Sequence, residues 1–165
     1  LLDRIRRRVP GVALRTTFIV GFPGETEDDF RELQGFVDAV GFDHVGVFTY
    51  SHEDGTSAHS LPDDVPAATK RRRQSRLMEA QEHHVATAQA ARVGRHVRLL
   101  VDGPSDEHEL VLRGRLESQA PEIDPVVYLT DCNPADITTG SFIEAEIVGS
   151  QSYDLVARPL SVTSV

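Results

Sequence analysis

One cysteine, Cys132, stands in 165 residues. A disulfide scaffold within the chain is excluded, as is a multi-cysteine metal or cluster site supplied by this chain alone. No apolar run approaches the roughly 20 residues of a membrane-spanning helix, which excludes a helical membrane protein. Positive charge is scarce: 17 Lys and Arg face 26 Asp and Glu, for a net charge of -9. That balance argues against nucleic acid held by bulk charge and favours a basic partner. There is no initiator Met, no signal-peptide pattern, no internal repeat and no low-complexity stretch. The start, Leu1-Leu2-Asp3-Arg4, reads like the middle of a helix, so a piece of a longer protein is expected.

What remains splits near Gly94. Residues 1–93 carry 12 basic and 14 acidic side chains, and residues 94–165 carry 5 and 12, so the second part holds a net of -7. In the first part Leu2, Ile5 and Val9 space like an amphipathic helix stopped by Pro10-Gly11. Val12 to Val20 reads as a mostly buried strand, broken by Gly21-Phe22-Pro23-Gly24. Thr26 can cap the next helix, with Glu27, Asp28 and Asp29 in its first turn and Asp29 completing a capping box. Phe30, Leu33, Val37 and Val40 share one helical face, Gly41 suits a left-handed stop, and 42–50 is a second strand. Strand, helix and strand with short connections make a parallel βαβ unit. After a loop, a long helix is expected over 66–93, with Met78, Val85 and the stem of Arg92 on one stripe, flanked by Leu77, Gln81 and Ala88.

From Arg95 the period changes to two. Five strands are expected at about 95–101, 109–117, 126–129, 142–148 and 153–158, with turn residues between them. In FIEAEIV, Ile143, Ala145 and Ile147 face one way, Glu144 and Glu146 the other. Five strands in so short a segment make a closed or nearly closed barrel of OB-like size. The expected fold class is therefore α/β followed by an all-β barrel, divided as 1–93 and 94–165.

The sharpest motif is Thr16 to Thr26, TTFIVGFPGET: an apolar strand, a Gly-Pro-Gly turn and a helix start. In parallel α/β folds ligands bind where strands end. Gly21 and Gly24 would let a flat ligand approach the backbone, and an ordinary βα turn is the alternative. This segment resembles the fifth-strand motif of radical-SAM methylthiotransferases. VGVFTYSHEDGTSA (45–58) resembles the family's sixth strand and loop, and RRRQSRLMEAQEHH (71–84) its linking helix. LLVDG (99–103), APEID (120–124) and YDLVARPL (153–160) resemble its TRAM domain, and the resemblance spans about 1–160 in order. FTYS…EDGTSA, LLVDG and APEID look most like the branch that modifies a small-subunit ribosomal protein.

The resemblance implies the C-terminal part of a radical-SAM partial barrel joined to a five-stranded TRAM barrel. It implies a cytoplasmic enzyme that transfers a methylthio group to the β-carbon of an aspartate, with S-adenosylmethionine as cofactor. Two [4Fe-4S] clusters are implied in the full enzyme, both ligated outside this chain, since no Cys-x-x-x-Cys-x-x-Cys occurs here. Alone, the chain would be inactive and would carry no catalytic residue. Cofactor contacts would come from Arg15, Phe18, Ile19, Val20, Gly21, Phe48 and Tyr50. Phe18 could equally be barrel core and Tyr50 could simply pack. Arg15 needs a partner if buried, and otherwise points off the barrel rim.

Other features have plainer readings. Lys70 to Arg73 with Arg76 invite a nucleic-acid reading, but on a helix they more often form a solvated face or an internal ion-pair surface. His83-His84 point to different sides, and His52 and His59 have no matching Cys or carboxylate geometry, so no metal is expected. The acidic barrel, with Asp102, Asp106, Glu107, Glu109, Glu117, Glu122 and Asp124, would dock a basic ribosomal protein and repel tRNA. A tRNA adenosine methylthiotransferase and a stand-alone TRAM-like binding module are the rival functions.

Overall fold

The computed structural model describes residues 1–106 and 110–160. Two compact units divide the chain, Leu1–His84 and Val85–Val165.

The first unit begins with α1 (Leu2–Arg8) and then β1 (Arg15–Val20), α2 (Glu27–Val40) and β2 (His44–Thr49). The strands pair in parallel, in register from Arg15 with His44 to Val20 with Thr49. Among the described residues they form a sheet of two strands, each with its other edge unpaired and neither splayed. Their shared inward face supplies Val20, Val45 and Val47 to a core with Leu14, Phe30, Val37, Phe42 and Leu77. Helices cover that face alone, so burial alternates along β1. The mostly buried strand expected from VALRTTFIV is corrected accordingly: Arg15, Thr17 and Ile19 are exposed.

Helix α2 starts as its sequence dictates. Thr26 donates through its backbone N–H (2.8 Å) and hydroxyl (2.7 Å) to Asp29 Oδ2, and accepts from the Asp29 N–H at 3.2 Å. This reciprocal capping box satisfies donors that a helix start otherwise leaves open. Gly41 ends the helix in the left-handed conformation, φ 58°. The Thr26 backbone and hydroxyl bonds hold the Asp29 carboxyl below the usual carboxylate range, with Arg73 adding to the pull and partial burial opposing it. A lowered carboxylate stabilises the fold above its unfolded titration range, and that contribution fades as pH falls through the folded value. Thr26→Ala should cost about 1 kcal/mol, the usual loss of an N-cap side chain. Asp29→Asn should flatten the acid limb of the first unit's stability, as read from urea midpoints against pH.

Helix α3 (Ala67–Ala90) ends earlier than the sequence predicts, and residues 91–94 turn before the barrel. Of the expected stripe and its flanks, Leu77, Gln81 and Val85 are buried, while Met78 is 37% exposed and Ala88 is exposed. Lys70 and Arg73 are buried as well, so the inward face is more polar than the stripe implied. Gln74 Nε2 donates to Val47 O at 2.8 Å and Gln81 Nε2 to Phe42 O at 3.0 Å.

The second unit is a closed barrel of β3 (His96–Pro104), β4 (Leu112–Leu116), β5 (Val127–Leu129), β6 (Phe142–Gln151) and β7 (Asp154–Pro159). The strand order is β3-β4-β5-β7-β6, with β6 returning to β3. Only β5 and β7 pair in parallel. Closure leaves no sheet edge open. Register shifts at Val101/Gly103 and Ile147/Gly149 bend the strands that must curve most. The interior is filled by every second side chain, including Leu99, Val101, Leu112, Val127, Ile147 and Leu155. The first part of the expected 109–117 strand touches undescribed residues; the described strand begins at Leu112.

Candidate functional site

The ends of β1 and β2 lie side by side, and the turn after β1 is held from three directions. Gly21 has φ +75° and is buried; a Cβ on it would lie 2.3 Å from Lys70 Cγ, so only glycine fits. Its N–H donates to Glu25 Oε2 at 2.8 Å. Arg73 Nη1 donates to Glu25 Oε1 at 2.7 Å and to the Glu25 carbonyl at 3.2 Å. Gly24 N–H donates to Asp64 Oδ1 at 2.8 Å. Across from it, Lys70 Nζ donates to Asp63 Oδ1 at 2.5 Å and to Tyr50 O at 3.3 Å, and lies 4.9 Å from the Tyr50 ring centre. Phe22 meets Tyr50 edge-on, with ring centres 5.2 Å apart.

The basic run is therefore an internal ion-pair surface. Arg73 also lies 3.5 Å from Glu27, and Arg76 reaches Glu27 at 3.2 Å and Gln34 at 3.1 Å. Partial burial pushes the Glu27 carboxyl up, but Arg76, Arg73 and Arg72 together leave it below its ordinary value. Sequence reasoning missed Phe22, Glu25, Asp63, Lys70 and Arg73 as builders of this site. The signal for Glu25 was its place inside the GFPGE turn; no local pattern marked its partner, 48 residues on.

The seven residues expected at a cofactor fall into three groups. Arg15, Ile19 and Phe48 share the open face of the sheet, and Ile19 pairs in register with Phe48. Ile19 is 58% and Phe48 62% exposed, an unusual position for two large apolar side chains side by side. Arg15 is exposed rather than buried. Gly21 and Tyr50 sit at the strand ends, both buried. Phe18 and Val20 face the helices: Phe18 packs edge-on against Phe36 and Phe42 at 6.4 and 6.1 Å, and Val20 is fully buried. Between α1, β1 and α2 an open groove of about 570 Å³ is lined by Leu2, Arg15, Phe18, Phe36 and Phe42 among others.

Iron–sulfur clusters do not fit this donor set, because thiolates are their usual ligands and the chain offers Cys132 alone. Burial, with Asp131 beside it, pushes the Cys132 thiol up, which disfavours thiolate. Among the described residues no group of three His, Cys, Asp or Glu could hold a metal ion. A carboxylate does approach the loop histidines, contrary to the sequence expectation: Asp54 Oδ1 lies 3.3 Å from His59 Nε2. No described helix is long and apolar enough to cross a membrane.

On the barrel, several acidic groups are engaged locally. Asp102 pairs with Arg115, and Asp106 with Arg113 at 2.5 Å. Asp124 accepts from the Ala120 N–H at 2.7 Å. Glu117, Glu122, Asp131, Asp136 and Glu144 are exposed. Glu107 and Glu109 lie outside the described residues.

A family model described as the TRAM domain matches residues 93–160. The chain is 47% identical over 160 residues to the ribosomal protein uS12 methylthiotransferase RimO of Anaeromyxobacter sp. strain K, covering 96% of this chain and 33% of that protein. It is 46% identical to the protein of the same name in Trichlorobacter lovleyi (96% and 34% covered). For that of Geobacter sulfurreducens the identity is 43% (98% and 35% covered). The chain thus spans about a third of the length of the curated relatives it matches. Along nearly all its residues the chain is similar to part of these RimO proteins, and residues 93–160 match the TRAM domain.

Proposed function

We propose that the chain is part of a cytoplasmic radical-SAM enzyme that places a methylthio group on the β-carbon of an aspartate in a small-subunit ribosomal protein. The observation that carries this reading is identity of 43–47% to RimO proteins over nearly the whole chain. The described geometry supports it: the open β1–β2 face ends at a turn that only glycine can make. On this reading Ile19 and Phe48 present a flat apolar wall to the adenine, with Arg15 on the same face of the sheet. Gly21 lets the backbone approach, Tyr50 bounds the edge, and Phe18 and Val20 hold the strand from behind. Bound S-adenosylmethionine supplies the means of breaking the aspartate β-C–H bond. The clusters are held by residues beyond this chain, and the division into 1–93 and 94–165 separates cofactor wall from substrate dock.

The test is anaerobic reconstitution of the full-length enzyme with S-adenosylmethionine and the ribosomal protein. One methylthio group in place of one hydrogen on an aspartate is the expected product; modification of tRNA adenosine would overturn the substrate. Phe48→Ala should raise the KM for S-adenosylmethionine about ten-fold, the equivalent of one lost apolar contact. The fold should persist, because Phe48 is already exposed.

A basic substrate docking on the acidic barrel gives a separate expectation. Glu117→Lys with Glu122→Lys should slow association with the ribosomal protein and weaken its salt dependence, leaving kcat unchanged. Stopped-flow binding at two ionic strengths reads this directly.

A further inference from the structure

Helix α3 lies along β2 and holds three backbone carbonyls there. Gln81 Nε2 donates to Phe42 O at 3.0 Å, Gln74 Nε2 to Val47 O at 2.8 Å and Lys70 Nζ to Tyr50 O at 3.3 Å. The first two donors are neutral amides, placed before and within the strand. The third is a cation, 6% exposed, at the end where β1 and β2 meet the candidate site. Its stem also passes Gly21: a Cβ on that glycine would lie 2.3 Å from Lys70 Cγ and 3.1 Å from both Cβ and Cδ. One side chain therefore packs on the end of β1 along its stem and bonds the end of β2 with its tip. The two ends are bonded to each other as well, since the Tyr50 N–H donates to Val20 O at 2.9 Å. Asp63 Oδ1, 2.5 Å from Nζ, supplies the counter-charge that a buried ammonium needs.

We propose that Lys70 is a positioning residue for the cofactor face: it sets the spacing of Gly21 and Tyr50, and Asp63 holds its ammonium in place. This rests on the reading of Ile19, Phe48, Gly21 and Tyr50 as the cofactor's surroundings. Lys70 is itself buried, so it acts through the two strand ends and not by touching the ligand. Binding groups displaced by about 1 Å lose much of their effect. Arg73, one helical turn on, holds the same turn through Glu25, but it has no bond to the β2 end. Lys70 is the side chain that joins both ends.

Equilibrium dialysis of S-adenosylmethionine against the reconstituted full-length enzyme tests this, with hydrogen exchange read on the same samples. Lys70→Met keeps the stem beside Gly21 and deletes the ammonium. It should raise the Kd about ten-fold, the equivalent of one lost charged hydrogen bond. Exchange in the peptide that ends β2 should quicken about ten-fold, with the β3 and β6 barrel peptides unchanged. A residue that merely stabilises the fold would lower the amount of folded enzyme and leave the Kd of the folded fraction where it was. Asp63→Asn, at an exposed position, should raise the Kd about three-fold alone and add nothing to Lys70→Met, because it acts through the ammonium. Phe48→Ala separates this proposal from the reading beneath it. If Phe48→Ala raises the Kd and Lys70→Met does not, the face stands and Lys70 is no positioning residue. If neither variant moves the Kd, the face is not the cofactor's and both readings fall. Should Lys70→Met fail to fold, Asp63→Asn decides: an unchanged Kd overturns the proposal.

Discussion

Glu25→Ala is expected to destabilise the first unit by about 3 kcal/mol, the low end of the range for stranding one partner of a buried ion pair. Arg73 is the reason. Its side chain is 4% exposed, and Glu25, 13% exposed, is its nearest carboxylate at 2.7 Å. Arg73 Nε already has no hydrogen-bond partner, so the guanidinium has little reserve. Glu27 stays 3.5 Å away, which keeps the loss from the upper end. The same substitution frees the Gly21 N–H, and with it the turn that ends β1. Urea dependence of hydrogen exchange in the β1 and α2 peptides measures the loss, with the barrel peptides unchanged. Adding Arg73→Met to Glu25→Ala should recover more than half of it, because the stranded charge is gone. A double variant no better than the single one would show that the bond to Gly21, not the ion pair, dominates.

Gly114→Ala is expected to cost about 3 kcal/mol in the second unit, the top of the usual range for overpacking. Gly114 stands in β4 opposite Val101, facing the barrel interior. A Cβ there would lie 2.7 Å from the Leu100 carbonyl oxygen. A side chain in the way could rotate; a backbone carbonyl in a closed barrel cannot, and β3 is already bent by the shift at Val101/Gly103. Loss of protection should therefore appear first along β3 and β4, while the first unit's exchange is unaffected. Leu116→Ala, at the barrel's margin with 8% exposure, is the comparison: a cavity there relaxes more easily and should cost less.

The order of elements was legible because each announces itself over a few neighbouring residues. Thr26 and Asp29 made their capping box as spelled, and Gly41 stopped α2 in the left-handed conformation. Alternation from Arg95 onward gave five strands, and FIEAEIV placed Ala145 and Ile147 inside as its period requires. Helix α3 was harder. The stripe and its flanks included Leu77, Gln81 and Val85, which are buried, but passed over Lys70 and Arg73, because a hydrophobic pattern does not select charged residues. Arg15 stood open between a buried cation and one pointing off the rim, because its neighbours are apolar; with one face of the sheet open, it is exposed.

The sequence by itself determined the strand–helix–strand order, the turn after β1 and the barrel, because periodicity, capping and motif are local properties of the chain. Tertiary structure alone decided which charges are buried and which side chains meet. Glu25 holds Arg73 and Lys70 holds Asp63 and Tyr50 only after α3 lies against the strand ends. Ile19 and Phe48 become one apolar wall only when β1 and β2 pair in parallel and in register. Packing between distant segments sets the cost of burying a charge and the place of a ligand, and no local pattern encodes either.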